Sequence, residues 1–351
     1  MTNTVNNEIK NILTADLSWD KLKNKTVMIT GATGFIGSYI VRALLERSRK
    51  DNLGIKILAV VMDPENAEGM FADYIADGSF EYIAGNVCDP VKTDKKAQYI
   101  IHCASNAAPK EYSMYPVETM KTNFHGTLNM LDYAKAVESE GFLYVSTIEV
   151  YGTTHGIDKI AENIYGEIDA LQVRSCYPLS KKACETLCVS YSDEYGVPVK
   201  IGRLSYIFGP GMRPGDSKIV AVFPQCIADN ENIVMKSKGE QIRSYTYIAD
   251  AITGLLTVLL DGEKGQAYNI ASKLCITSIA GIAETLVKSY PEKGLKVIFD
   301  IPTSAERKGF SLIENAVMDS SKLENLGWQP TVDLVTGLKR VVEDRIELKG
   351  E

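Results

Sequence analysis

The stretch TVMITGATGFIGSYI, residues 26–40, decides the fold. Its first five residues form a short β-branched, apolar run of the kind that makes a strand buried on both faces. Glycines follow at 31, 34 and 37, and helical spacing then begins with Ile36, Ile40, Ala43 and Leu44. A glycine triplet alone is a weak signal. Between a buried strand and a helix it is the fingerprint of a dinucleotide-binding turn. Gly31 permits the tight turn, Gly34 lets a pyrophosphate approach the backbone, and Gly37 lets helix and strand pack closely. The first N–H groups of the helix, around Thr33, Phe35 and Ile36, then offer a partial positive charge to phosphate. The other reading of the same residues is a glycine-rich turn with no ligand.

Working outward, apolar runs and helical patterns alternate. Strands are expected at residues 55–62, 80–85, 97–104, 142–147 and 199–205, with helices near 35–47, 116–136 and 177–195. Alternation of this kind predicts an α/β fold with a doubly wound parallel sheet, a Rossmann domain. After Phe208 the Gly- and Pro-rich GPGMRPGDS (209–217) reads as a loop, and shorter elements follow. The expected organisation is an N-terminal arm or short amphipathic helix over residues 1–24 and a dinucleotide-binding domain over 25–205. Residues 244–270 are expected to return to that domain. Residues 206–243 and 271–351 then form a smaller C-terminal α/β lobe for substrate.

Bulk properties narrow the function. The chain has 351 residues, 45% hydrophobic and 24% charged, with a net charge of -7. Such a surface repels nucleic-acid backbones, so no nucleic-acid partner is expected, and an anionic ligand needs a local positive site. Seven cysteines without a CxxC, and three scattered histidines, point to free thiols in a reducing compartment and to no metal site. No run of 18 apolar residues and no apolar N-terminal core occurs, so a cytoplasmic protein with no membrane partner is expected.

Asp63 closes the second strand about thirty residues after the first glycine, where a carboxylate accepts from an adenosine ribose and repels a 2′-phosphate, favouring NAD over NADP. Its other reading is a solvated turn residue before Pro64. Asn86 and Val87, after the third strand, either flank the adenine or simply make a turn. Ala104, after the fourth, completes the expected cofactor set. Tyr177 and Lys181, in CYPLSKKACETL (176–187), lie at i, i+4 and share a helix face. A tyrosine titrating near 10 is a poor base at neutral pH, so a nearby cation such as Lys181 is what makes Tyr177 a usable one. In VSTIEVYG (145–152), Thr147 and Glu149 can each handle a proton. Ile148 between them cannot, and it is either ordinary packing or a missing catalytic group.

With TGATGFIG, IIHCAS, KTNFHGTLNML, VSTIEVYG, YPLSK, IFGPGM, QIRSYTYIAD and LGWQPTVDL, the chain resembles the extended short-chain dehydrogenase/reductase family of nucleotide-sugar enzymes, from about Lys25 to Ile346. The resemblance implies a homodimer and a nucleotide-sugar substrate oxidised transiently at C4, with NAD as the hydride acceptor. Tyr177 would take the 4-hydroxyl proton, Thr147 would bond the same oxygen, and Lys181 would hold the nicotinamide ribose. Arg243 resembles the residue that meets the diphosphate; its other reading is a surface Arg paired with Asp250. Tyr112 matches a position near the sugar or serves as packing, and Asn123 matches a structural, backbone-bonding residue.

The subfamilies differ at Ile148. 4,6-Dehydratases carry Thr-Asp-Glu, UDP-glucuronate decarboxylases Thr-Ser-Glu, and 4-epimerases a small residue without the Glu. Ile148 removes the dehydratase acid, a loss of about 10²–10⁴ in rate. Decarboxylation asks less, because a 4-ketone makes the C6 carboxylate part of a β-keto acid. Residues 162–187, 121–135 and 207–223 are also most similar to the decarboxylases. The expected function is therefore UDP-glucuronate decarboxylation, with 4-epimerase, 4,6-dehydratase and a catalytically silent NAD-binding protein as rivals. Two departures stand against that pattern. Tyr206 occupies the place of a phosphate-binding Asn, and NAVMD (315–319) replaces an Arg-rich stretch, for which Arg307 and Lys308 are candidate substitutes.

Overall fold

The computed structural model describes residues 1–301 and 316–350. The N-terminal segment forms helix α1 (Asn3–Ile12), then turns and a short 3₁₀ helix (Trp19–Leu22) lead to β1 (Thr26–Thr30). There follow α2 (Phe35–Asp51), β2 (Lys56–Val61), α3 (Pro64–Ala76), β3 (Phe80–Ala84), β4 (Tyr99–His102), α4 (Pro109–Met114), α5 (Pro116–Ala136), β5 (Gly141–Thr147), α6 (Cys176–Glu194) and β6 (Val199–Leu204). The second half contains β7 (Tyr206–Phe208), α7 (Ile219–Asp229), β8 (Ile233–Met235), β9 (Ile242–Tyr247), α8 (Ile248–Asp261), β10 (Ala267–Ile270), β11 (Ile276–Ser278), α9 (Ile279–Ser289), β12 (Val297–Phe299), α10 (Ser321–Glu324) and α11 (Leu334–Gly350).

Seven parallel strands form the main sheet in the order β10-β6-β5-β4-β1-β2-β3. Successive strand residues face opposite sides, and both sides are covered. Val27, Ile29, Ile101 and Leu143 pack with residues of α2 and α8 in one apolar cluster. Met28, Ile100, Phe142 and Tyr144 pack with Met130 and Leu131 of α5 and Cys184 and Cys188 of α6 in another. Burial on both faces is why these strands read as unbroken apolar runs rather than as alternating ones. Strand order reverses between β1 and β4, so their C-terminal ends open the crevice in which doubly wound sheets bind ligands.

The smaller sheet has the order β11-β9-β7, and β8 pairs with β12 beside it. Within residues 244–270, α8 packs on β5 and β6, and β10 joins the main sheet beside β6. Residues 244–247 differ from expectation: they belong to β9 of the small sheet, paired with β7 and β11. Helix α3 was not anticipated. Pro64, read as following a turn, instead occupies the first turn of a helix, where its missing N–H costs nothing. Helix α1 closes the other end of the fold. Its Thr2 cap donates to Asp344 (2.6 Å), and buried Glu8 pairs with Arg340 (3.0 Å), tying the N-terminus to α11.

Candidate active site

The glycine turn is built from backbone contacts. Gly31 has φ +69°, and a Cβ there would lie 3.0 Å from the Ala104 nitrogen at the end of β4. A Cβ on Gly37 would sit 2.1 Å from the Gly31 carbonyl oxygen, and one on Gly34 3.1 Å from the same atom. The Gly34 N–H donates to the Gly31 carbonyl (3.0 Å) and closes the turn. Gly34 caps α2 without any side-chain hydrogen bond. The first N–H groups of α2, from Phe35 to Gly37, are therefore left by the fold to face the crevice. A narrow cradle with uncapped donors fits a pyrophosphate.

The rest of the predicted cofactor set lies along the same edge. Thr33 lies in the turn between Gly31 and Gly34. Exposed Asp63 is the N-cap of α3 and accepts from the Asn66 N–H (3.1 Å). The turn reading thus becomes a capping role, and the remaining carboxylate lone pairs are free to accept from a ribose. The Asn86 side chain accepts from the Cys88 N–H (2.9 Å), making a local turn. Buried Val87 packs beneath it, its carbonyl accepting from Asn129 (2.8 Å). The Ala104 N–H donates to the Thr30 hydroxyl (3.2 Å). That hydroxyl also bonds His102 Nδ1 (2.7 Å). Burial first, and then the charge of Lys181, push His102 down to about 3, so the ring is neutral.

The residues expected to be catalytic meet where β5 ends and α6 begins. Tyr177 is buried and hydrogen-bonds the Thr147 hydroxyl. Burial raises its phenol well above the ordinary range, the Glu149 charge raises it further, and the Thr147 bond lowers it. The Tyr112 ring stacks on Tyr177, with centroids 5.1 Å apart and planes 13° from parallel. Tyr112 thus packs against the expected base. Lys181 differs from expectation. It is buried on the same helix, but its ammonium donates to the Val145 carbonyl (2.8 Å) and lies 4.4 Å from the Tyr144 ring centroid. Its nearest satisfied acceptor is strand backbone rather than the phenol. Desolvation lowers its pKa. Asn123 departs as well, its side chain bonding Ser105 (2.7 Å) and Ser180 (2.8 Å) rather than backbone.

Ile148 turns away from the polar groups. It is 3% exposed and packs with Val150, Tyr151, Ile160, Ala271, Ala316 and Met318, with Tyr206 against the cluster. Ile148, Tyr206 and, from the third departure, Ala316 and Met318 therefore converge on one apolar wall. Arg243 does not pair with Asp250, which instead accepts from Thr331 and Val332. Its guanidinium carbon lies 4.6 Å from the Tyr206 ring centroid, a cation–π contact. An Asn at 206 would bond through its amide; Tyr206 offers a ring face. Arg307 and Lys308 lie outside the described residues.

Sequence reasoning missed two further groups. Arg174 forks onto Glu149, 3.2 Å to each oxygen. Behind β5, Glu185 accepts from Ser146 (2.5 Å) and pairs with Arg203 (2.6 Å), which donates to Tyr151 (2.9 Å). Glu185 sits on the same helix as Lys181, one turn on, and that spacing was the only available signal. Among the described residues, no group of three or more His, Cys, Asp or Glu side chains is placed to hold a metal ion.

Residues 27–271 match the model of the NAD dependent epimerase/dehydratase family. The chain belongs to that family. It is accordingly an NAD-dependent enzyme, and the glycine cradle and Asp63 fit the dinucleotide. The chain is 30% identical over 325 residues to UDP-glucuronic acid decarboxylase 6 of Arabidopsis thaliana, covering 92% of this chain and 89% of that one. Among solved structures, it superposes on UDP-glucose 4-epimerase of Thermotoga maritima with a TM-score of 0.78 at 22% identity, covering 93% of this chain and 100% of that chain. It also matches UDP-glucuronic acid 4-epimerase of Bacillus cereus, a complex with UDP-glucuronic acid and NAD, with a TM-score of 0.75 at 23% identity, covering 92% and 99%. These likenesses at low identity carry the fold.

Proposed function

We propose that the protein is a UDP-glucuronate decarboxylase that forms UDP-xylose. One observation carries this reading. Thr147, Tyr177 and Glu149 converge, while Ile148 between them is withdrawn into an apolar cluster. A base for C4 oxidation is thus combined with a carboxylate and no acid beside it to expel a 6-hydroxyl. The relatives named UDP-glucuronic acid decarboxylase, at about 30% identity over most of the chain, support the same reaction.

Bound NAD supplies reversible hydride acceptance at the sugar C4. Gly31, Gly34, Gly37 and the first turn of α2 would hold its pyrophosphate, Asp63 its adenosine ribose, and Lys181 its other ribose. Asn86, Val87 and Ala104 line the same groove. Tyr177 takes the 4-hydroxyl proton and later returns it, and Thr147 bonds the same oxygen. The C6 carboxylate of the resulting β-keto acid leaves as CO₂, its electrons forming a C4–C5 enolate that takes a solvent proton at C5; the C4 ketone then regains the hydride it gave up, so the overall reaction is redox-neutral. Arg243, stacked on Tyr206, takes the diphosphate. Incubation with UDP-glucuronate, UDP-glucose, dTDP-glucose and GDP-mannose, read by mass spectrometry, tests this. Release of CO₂ and UDP-xylose is expected from the first alone, and a 4-keto-6-deoxy product sinks the proposal. Tyr177→Phe should lower kcat by about 10²–10⁴.

A homodimer is supported by an apolar face. Val117, Met120 and Phe124 of α5 and Val189 of α6 are 42–56% exposed on two helices that pack together. Phe124→Asp should shift the sedimentation mass from two chains to one. Seven unpaired cysteines are consistent with a reducing, cytoplasmic setting. Among the described residues no helix is long and apolar enough to cross a membrane.

A further inference from the structure

Arg174 lies in the short 3₁₀ turn Val173–Ser175 that leads into α6. Its two terminal nitrogens each bond a different oxygen of Glu149, both at 3.2 Å. One of them also donates to the Tyr112 hydroxyl (3.3 Å), and the guanidinium carbon is 5.7 Å from that ring centroid. Tyr112 in turn stacks on Tyr177. One planar cation therefore spans the carboxylate on one side of the phenol and the ring that lies against it. Planar two-point recognition of this kind is specific to Arg and is lost with Lys.

Charge supplies the second reason. Tyr177 passes through phenolate when it takes the sugar proton. The groups facing it are Thr147 and Glu149 from the end of β5 and Tyr112 from α4. Among these Glu149 is the anion, and an anion beside a developing phenolate opposes it. Arg174 sets a positive charge on that same carboxylate. The fork is part-buried, with the Arg174 side chain 35% and the Glu149 side chain 12% exposed. Its geometry serves the neighbouring base.

We propose that Arg174 is a positioning residue for this reaction, holding Glu149 and Tyr112 against Tyr177 and offsetting the Glu149 charge as Tyr177 ionises. The inference rests on the catalytic reading above. Steady-state kinetics with UDP-glucuronate test it, using Arg174→Ala, Arg174→Lys, Glu149→Gln and the Ala/Gln double variant. Arg174→Ala should lower kcat about a hundredfold, the scale of a misplaced catalytic group, with KM little changed and melting temperature near that of the wild type. Arg174→Lys restores the charge without the fork and should recover part of the loss; if the Ala variant does not fold, the Lys variant carries the same kcat-against-KM split. The double variant should be no slower than the slower single, because the two residues act as a unit. Wild-type kcat in Arg174→Ala, a rise in KM alone, or penalties that multiply in the double variant overturn the inference. Wild-type protein that releases no CO₂ overturns the decarboxylase reading instead. The split is then read from reduced-cofactor absorbance on mixing with UDP-glucose or dTDP-glucose, since C4 oxidation is shared; a chain that oxidises none of these sugars overturns both.

Discussion

The glycine turn after β1 and the wall around Ile148 flank the same crevice, yet they obey different constraints. In the turn, geometry is set by backbone: a Cβ on Gly37 would come within 2.1 Å of a carbonyl oxygen, and Gly31 has φ +69°. Residue type there is dictated within seven consecutive positions. In the wall, Ile148, Tyr206, Ala316 and Met318 come from segments far apart in the chain and meet only through packing. Apolar residues of suitable volume can replace one another there if the set stays complementary. The cofactor side therefore keeps the family pattern, while the sugar side departs from it at three places together.

Substitutions on the two sides should separate these constraints. The largest effect is expected from Gly37→Ala. Its new methyl meets backbone that cannot rotate away, so NAD binding measured by titration calorimetry should be abolished, with a stability loss of about 3 kcal/mol or more. Retained NAD affinity would remove the backbone argument from the turn. Ile148→Ser restores the residue found in decarboxylases. Because the side chain is buried in an apolar cluster, the variant should lose about 2–3 kcal/mol in urea unfolding and gain no decarboxylase rate. A faster variant of unchanged stability would mean that position 148 borders the sugar.

The last test is confined to acid pH and concerns His102, which bonds Thr30 beside the glycine turn. Its folded-state pKa is about 3, lowered first by burial and then by the Lys181 charge, against about 6.5 in the unfolded chain. The unfolded state thus binds the extra proton between these values. Stability from this group is complete above pH 6.5 and is lost as pH falls toward 3. His102→Asn should flatten that part of the stability–pH curve; an unchanged slope would place the acid sensitivity elsewhere.

Much of the site was legible in the sequence for reasons of spacing. Gly31, Gly34 and Gly37 lie in one turn, and Tyr177 and Lys181 lie on one helix face, so local geometry carries them into place. Asp63 was legible as a strand-end carboxylate, but its capping of α3 was not, because no helix was expected after Pro64 and the alternative reading of Asp63 was a solvated turn. The Lys181 ammonium was expected beside Tyr177 and instead bonds Val145, since a buried cation takes the acceptor that tertiary packing presents. Arg174 escaped notice because its partners Glu149 and Tyr112 are 25 and 62 residues away. No periodicity connects them.

By itself the sequence determined the doubly wound sheet, the dinucleotide turn and the shared helix face of Tyr177 and Lys181. Each depends on strand alternation, helical period or the steric limits of glycine, all of which act over a few residues. Only the tertiary structure decided where Ile148 points, what holds Glu149, and that Tyr206 carries Arg243 on its ring face. Those outcomes depend on which side chains from distant segments compete for the same buried volume and charge, and that competition is settled only when the segments pack.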